Sequence, residues 1–328
     1  GEPLRIGITH VHHFYTKRNF FVNVAFSERC RKNNTRALWI TTAVTEGSSR
    51  LNRERPFGLP SKLSGTLYVS SMIREINLID FISRKIQKYT SKGHYLDATI
   101  STYSLTQLEA NSGNFDYIFL DPPFGSNINY SELNFFWESW LKVWTNNKPE
   151  AIENKVQGKG PQEYHSLMTA CFKEAYRVLK PGHWMTVEFS NTKASVWNSI
   201  QTALGEAGFI IANVSMMDKQ QHSFNAVTTP TAVKQDLVIS AYKPNGGFEE
   251  RFKKEVGTKE GVWDFVRTHL KYLAVTKISD NKLVSIPERD PRVLYDQLVA
   301  YYVRQNVMVP LDSGEFQQGL AERFPMRD

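Results

Sequence analysis

The rhythm of apolar and polar positions changes near residue 93 and again near residue 244, dividing the chain into three stretches, 1–93, 94–244 and 245–328. In the first, Phe20, Phe21, Val24 and Phe26 form an apolar stripe compatible with a helix. Arg36 to Val44 is short and apolar and suits helix or strand equally. Thr66 to Ile73 reads as a strand, and Asn77 to Tyr89 as a helix with a cationic end at Arg84, Lys85 and Lys88.

The middle stretch alternates more regularly. Asp97 to Thr102 reads as a strand. Tyr117 to Leu120, within Phe115 to Leu120, is a continuous apolar run, as in a parallel strand covered on both faces. It stops at Asp121, and Pro122 and Pro123 forbid further pairing. Ser131 is placed to N-cap a helix through Leu141, with Phe135, Phe136, Trp137 and Trp140 read as core. Lys142 to Tyr164 is polar, with Pro149, Gly158, Gly160 and Pro161, and reads as a mobile excursion, a lid or DNA-binding element. An amphipathic helix follows from His165 to Leu179 and ends at Lys180-Pro181-Gly182. Then come a strand (His183 to Phe189), a helix (Ser195 to Ala207) closed by Gly208, and two strands, Phe209 to Met217 and Asp236 to Tyr242. Pro244-Asn245-Gly246-Gly247 marks a domain boundary. Beyond it Trp263, Val266, Leu270 and Leu273 share one helical face and Val293 to Val303 forms a second segment, which predicts a small accessory helical domain. The alternation predicts an α/β fold.

Composition changes this picture in two respects. A chain of 328 residues with 41% hydrophobic and 22% charged residues can bury a large core, and no apolar run reaches membrane-spanning length. Its two cysteines, Cys30 and Cys171, cannot build a disulfide framework or a four-cysteine zinc site, so the expected compartment is the cytoplasm. Charge is uneven. Residues 1–93 hold 16 Lys and Arg against 6 Asp and Glu, whereas residues 94–328 hold 24 against 27. The basic end is the candidate polyanion surface, with Arg53 and Arg55 in the loop from Arg50 to Ser64 as candidate phosphate contacts. His10, His12 and His13 invite a metal reading, but nothing nearby completes a tetrahedral set, and no metal is expected.

The candidate chemistry lies at Asp121. Open α/β sheets bind ligands outside the carboxyl ends of their strands. An exocyclic amine on adenine or cytosine is a poor nucleophile, because its lone pair is delocalised into the ring. Two hydrogen-bond acceptors aimed at it favour a pyramidal nitrogen and stabilise the positive charge that develops there. The Asp121 carboxylate and the Pro122 carbonyl are the two acceptors, on a backbone whose φ angles are fixed. Phe124 presents a flat face on which an extruded base can stack. The competing reading is an ordinary Asp-Pro turn with Phe124 as a core aromatic.

Asp121-Pro122-Pro123-Phe124 resembles the catalytic motif of amino-group DNA methyltransferases, which put Asp, Asn or Ser first and Tyr or Phe last. The longer string from Asp121 to Leu141 resembles large multi-domain, DUF1156-like adenine-specific DNA methylases of prokaryotes, as do Gly7 to Asn19, Leu179 to Phe189 and Lys234 to Lys243. The resemblance implies a class I, Rossmann-like sheet ending in an antiparallel hairpin, S-adenosyl-L-methionine as cofactor and DNA as partner. It implies Asp121, Pro122, Pro123 and Phe124 as catalytic residues. Ser104 and Leu105 correspond to the turn that contacts the cofactor's adenine, with Asp121 at its methyl end, and Ser104 stands where the family often has Asp. Phe124, Ser126, Asn127, Asn129 and Tyr130, with Arg53 and Arg55, are the expected substrate contacts. The leading Asp favours adenine N6 over cytosine N4.

The glycine-rich turn that grips S-adenosylmethionine in these enzymes does not occur after any expected strand. Gly158 and Gly160 have the spacing, but a polar excursion precedes them. The expectation is therefore a sheet incomplete at its N-terminal strands, with the cofactor turn supplied by an upstream segment or a separate chain. The alternatives are a non-catalytic nucleic-acid-binding or assembly subunit lacking its own cofactor site, or an N4-cytosine or RNA methyltransferase.

Overall fold

A computed structural model describes residues 2–33, 35–54, 62–63, 65–90, 98–126, 128–189, 194–218, 235–244, 247–255, 257–273, 277–279, 282–284, 286–305 and 307–324. The chain forms two compact units, one of residues 1–101 and 128–150, the other of residues 102–127 and 151–328.

The first unit is helical: α1 (Glu2–Arg5), α2 (Lys17–Asn33), α3 (Thr35–Gly47), α4 (Leu78–Thr90) and α5 (Tyr130–Leu141). Arg36 to Val44, undecided from sequence, is thus helix. The apolar stripe expected on α2 is not what α2 buries. Asn19, Asn23 and Ser27 face inward, while Phe21 is 72% exposed. The reason is a polar seam with the end of α3: the Asn19 amide donates to the Ser48 carbonyl and the Asn23 amide to the Ser48 hydroxyl. Thr66 to Ile73 is not a strand. Among the described residues it makes only one isolated pairing, Ile73 with Arg53. Leu67 and Val69 instead pack against a small core of Ile8, Phe14, Tyr15, Leu51, Phe136 and Trp140. The core reading of Phe136 and Trp140 agrees with this, and the Trp140 indole donates to the Tyr15 hydroxyl. α5 starts two residues earlier than expected, after Asn129. Ser131 is not its cap; its amide and hydroxyl both donate to Glu150.

The second unit carries the sheet: β1 (Phe115–Leu120), α6 (Pro161–Val178), β2 (Leu179–Phe189), α7 (Ala194–Glu206), β3 (Ile210–Asp218) and β4 (Gln235–Tyr242). The strand order is β1-β2-β4-β3, with β1 and β2 parallel and β4 antiparallel to both neighbours. This is a mixed α/β, Rossmann-like sheet, incomplete as expected, and its last two strands form the anticipated antiparallel pair. The expected strand at Asp97 to Thr102 is absent: residues 98–102 pair with no strand, and Asp97 lies outside the described residues. Lys180-Pro181-Gly182 does not precede β2 but bulges within it, since Phe115 pairs with Leu179 and Tyr117 already with Trp184. Gly182 takes φ +80° there, and Lys180 and His183 both reach the carboxylate of Asp116 on β1.

Side-chain alternation gives the sheet two apolar faces. Met185, Val187, Phe189, Ile211, Ile239 and Ala241 pack under α6 and α7. Ile210, Ala212 and Tyr242 pack under α8 (Phe248–Lys254), α9 (Lys259–Tyr272), α10 (Pro291–Arg304) and α11 (Ser313–Arg323). The helices after Gly247 therefore cover the second face of the sheet, and their packing bridges the boundary read at 244/245. A short hairpin, Lys277–Ser279 with Lys282–Val284, adds to the helices expected there. β1 departs from the expectation of a strand covered on both faces. Ile118 and Leu120 pack against the α6 side, but Tyr117 is 55% and Phe119 56% exposed.

Candidate functional site

Asp121 to Ser126 follow β1 directly, at the carboxyl end of the sheet's parallel pair. Asp121 is exposed, and neither its carboxylate nor the Pro122 carbonyl has a hydrogen-bond partner among the described residues. Pro122 and Pro123 lack N–H groups, so this backbone can only accept hydrogen bonds. The rest of the loop is held from two directions. The buried Tyr164, in the first turns of α6, donates its hydroxyl to the Pro123 carbonyl at 2.9 Å. The Glu153 amide donates to the Gly125 carbonyl at 3.1 Å, and the Gly125 amide closes back on the Pro123 carbonyl. Gly125 adopts φ +66°, a left-handed conformation that glycine takes without strain.

Within the polar stretch before α6, residues 151–160 form a hydrogen-bonded and partly buried turn. Ala151 and Ile152 are buried, and Asn154 and Lys159 pair backbone to backbone across a tight turn. The Asn154 side chain caps that turn through the amides of Val156 and Gln157. Asn154 satisfies the turn's backbone, the buried Ala151 and Ile152 anchor it, and the Glu153 amide ties the segment to the Asp121 loop. Gly160 and Pro161 then open α6, with Glu163 returning to the Gly160 amide.

Phe124 is partly buried and meets Phe189 of β2 edge to face at 5.2 Å between ring centroids. Ser126 is exposed, and Asn127 lies outside the described residues.

Among the described residues no hydrogen bond links Ser104 or Leu105 to Asp121. The turn that holds them is closed on itself: the Ser104 hydroxyl bonds that of Thr106, and the Gln107 amide the Ser104 carbonyl. The segment is then tied to the far end of α6. Glu174 accepts from the Leu108 amide, and the Arg177 guanidinium donates to the carbonyls of Leu108 and Ala110. Arg177 also binds Glu174, and its guanidinium holds the Glu174 carboxyl down at about 2. Glu174 lies ten residues beyond Tyr164 on α6, a separation of about 15 Å at the helical rise.

The remaining expected contacts belong to the first unit. Arg53 is partly buried in its bridge to Ile73, and Arg55 lies outside the described residues. Asn129 caps α5 by position only, and Tyr130 is exposed at its start. The rings of His10, His12 and His13 cluster with centroids 4.2 to 5.4 Å apart. Among the described residues no group of three or more His, Cys, Asp or Glu side chains is placed to hold a metal ion, and no helix is long and apolar enough to cross a membrane. Sequence reasoning misses two residues of the site. Tyr164 falls at the end of a polar stretch and Glu153 acts through its backbone, so neither carries a sequence signal.

No protein of curated function matches the chain. Among solved structures, a candidate DNA modification methylase from Thermus thermophilus is similar at 15% identity and TM-score 0.25, over 49% of this chain and 59% of that one. A methyltransferase from Methanosarcina mazei, described as dependent on S-adenosylmethionine, is similar at 13% identity and TM-score 0.27, over 49% of this chain and 77% of that one. At such scores neither likeness carries an argument. The family model is decisive: that of the DNA methylases matches residues 115–291, from the first residue of β1 to the start of α10, more than half of the sequence, and the chain therefore belongs to the DNA methylase family.

Proposed function

We propose that this chain is the catalytic part of a DNA methyltransferase that uses S-adenosylmethionine and acts on the exocyclic amine of adenine, at N6. The reading rests on one observation: two acceptors without partners among the described residues, the Asp121 carboxylate and the Pro122 carbonyl, stand together at the end of β1 on a clamped backbone. An amine between them gives up its planarity, and they stabilise the charge that grows on it as it attacks. Phe124, partly buried against the core and in edge-to-face contact with Phe189, is the aromatic on which a base would stack. Adenine follows from the leading Asp and from the resemblance to DUF1156-like methylases; cytosine N4 is the alternative target for the same pair of acceptors.

The described residues do not fit a complete S-adenosylmethionine site. Leu108, four residues beyond Ser104, is tied to the opposite end of α6, and among the described residues no glycine-rich turn follows a strand. We therefore assign the cofactor's main contacts to a segment other than these, upstream or on a separate chain. Among the described residues β1 pairs on one side only, with β2. Its other edge is where a strand of that segment would pair.

The test supplies that segment, fused or as a second chain, together with DNA and radiolabelled S-adenosylmethionine, and identifies the methylated nucleoside after digestion. N6-methyladenine is the expected product, and Asp121→Ala should abolish it without lowering Tm. An Asp121→Ala variant retaining more than about a tenth of wild-type turnover, roughly 1.4 kcal/mol of barrier, would refute the role of Asp121. N4-methylcytosine in the digest would move the target to cytosine. DNA binding with no incorporation would favour a non-catalytic assembly subunit.

A further inference from the structure

We infer that Tyr164 is a positioning residue for the Asp121 loop: its phenol sets the direction of the Pro123 carbonyl and thereby leaves the Pro122 carbonyl and the Asp121 carboxylate free to face substrate. This rests on the catalytic reading of Asp121 given above.

Successive Pro122 and Pro123 remove two backbone donors, and their fixed φ angles leave ψ as the soft coordinate that aims each carbonyl. Such a segment cannot orient itself through its own N–H groups. Its one internal bond, from the Gly125 amide to the Pro123 carbonyl at 3.1 Å, spans only two residues. The donor that reaches it from another element is the Tyr164 hydroxyl, at 2.9 Å.

Packing alone would be met equally well by Phe. Tyr164 is fully buried among Phe172, Met168 and Ala151 in the core under the sheet, a place where a hydroxyl is unfavourable unless it is bonded. Burial also pushes the phenol well above its usual range, so it remains a donor at every working pH. Glu153 adds the Gly125 carbonyl to the same clamp. β1 and α6 are rigid elements, and Tyr164 links the loop after the first to the opening turns of the second.

The experiment is Tyr164→Phe, which keeps the ring and removes the donor. In the chain as it stands, hydrogen exchange at the amides of Phe124 to Ser126 should quicken by about tenfold, as expected for the loss of one hydrogen bond, while the interior of α6 keeps its protection. In the reconstituted enzyme kcat should fall by about tenfold with KM for DNA nearly unchanged, because the acceptors matter most as charge develops. Unchanged exchange at Phe124 to Ser126 would overturn the inference, as would a kcat within about twofold of wild type. Equal loss of protection along all of α6 would show a packing role only and overturn it too. Asp121→Ala is assayed in parallel: if that variant is active, the catalytic reading fails, whereas an inactive Asp121→Ala beside a normal Tyr164→Phe defeats only the role given to Tyr164.

Discussion

Acidification should weaken the sheet-bearing unit through one imidazole. His269 of α9 is fully buried between the sheet and the C-terminal helices. Its Nδ1 is 3.0 Å from the Tyr242 hydroxyl on β4, its ring stacks on Phe265 at 5.5 Å, and its Nε2 has no hydrogen-bond partner among the described residues. A second ring proton would place a charge in a buried apolar site, and burial accordingly lowers the pKa from 6.5 to about 4. The folded state thus binds this proton less readily than the unfolded chain. The stabilisation is complete above the unfolded pKa and is lost as pH falls from 6.5 toward 4. With those two values, going from about pH 7.5 to about pH 5 removes roughly 2 kcal/mol, and the full loss at lower pH is about 3 kcal/mol. His269→Asn can keep a partner for Tyr242 while removing the titration. It starts less stable because the ring contact with Phe265 is gone. Urea denaturation of both proteins at the two pH values, with hydrogen exchange in α9 to localise the transition, isolates the difference in pH dependence from all other groups. Wild type should lose about 2 kcal/mol more than the variant on acidification. Equal losses would refute the argument and mean that water or a rearrangement satisfies the imidazolium.

Other perturbations address the site and its surroundings. Phe124→Ala should lower turnover by roughly ten- to a hundred-fold through lost stacking, while Phe124→Tyr is tolerated; equal damage from both would make Phe124 a core aromatic serving Phe189. Arg177→Ala removes the donors to Leu108 and Ala110, and amide exchange over residues 104–112 should rise with that at Phe124 unchanged. Unaltered exchange there would show that the segment is held by other contacts. Reversing Arg53 and Arg55 to Glu should weaken DNA binding and flatten its salt dependence, as measured by fluorescence anisotropy, and unchanged affinity at low salt would remove this loop from the interface.

Much is legible in the sequence where one residue type has one physical consequence. The end of β1 at Asp121 is visible because two prolines cannot continue a ladder, and the helix and strands that follow are visible because their apolar positions repeat with the right period. The Asp-Pro-Pro-Phe acceptors are legible for the same reason, since their chemistry is local to four residues. Long-range partners are not. Tyr164 and Glu153 clamp the loop across a sequence gap, one through a hydroxyl and one through a backbone amide, and neither leaves a pattern. Polarity misleads at residues 151–160, where the polar groups satisfy a tight turn instead of facing water, and at α2, where Asn19 and Asn23 are buried because Ser48 meets them.

By itself, then, the sequence determined the α/β alternation, the stop of β1 and the chemical character of its loop, because propensity, periodicity and proline geometry act within a few residues. Tertiary structure alone decided four further features. The helices after Gly247 cover the sheet's second face, the Lys180 to Gly182 stretch bulges against Asp116, Leu108 and Ala110 are tied to the far end of α6, and one edge of β1 is left without a described partner. Each depends on which surfaces meet, and burial and hydrogen-bond satisfaction are summed over residues distant in the chain.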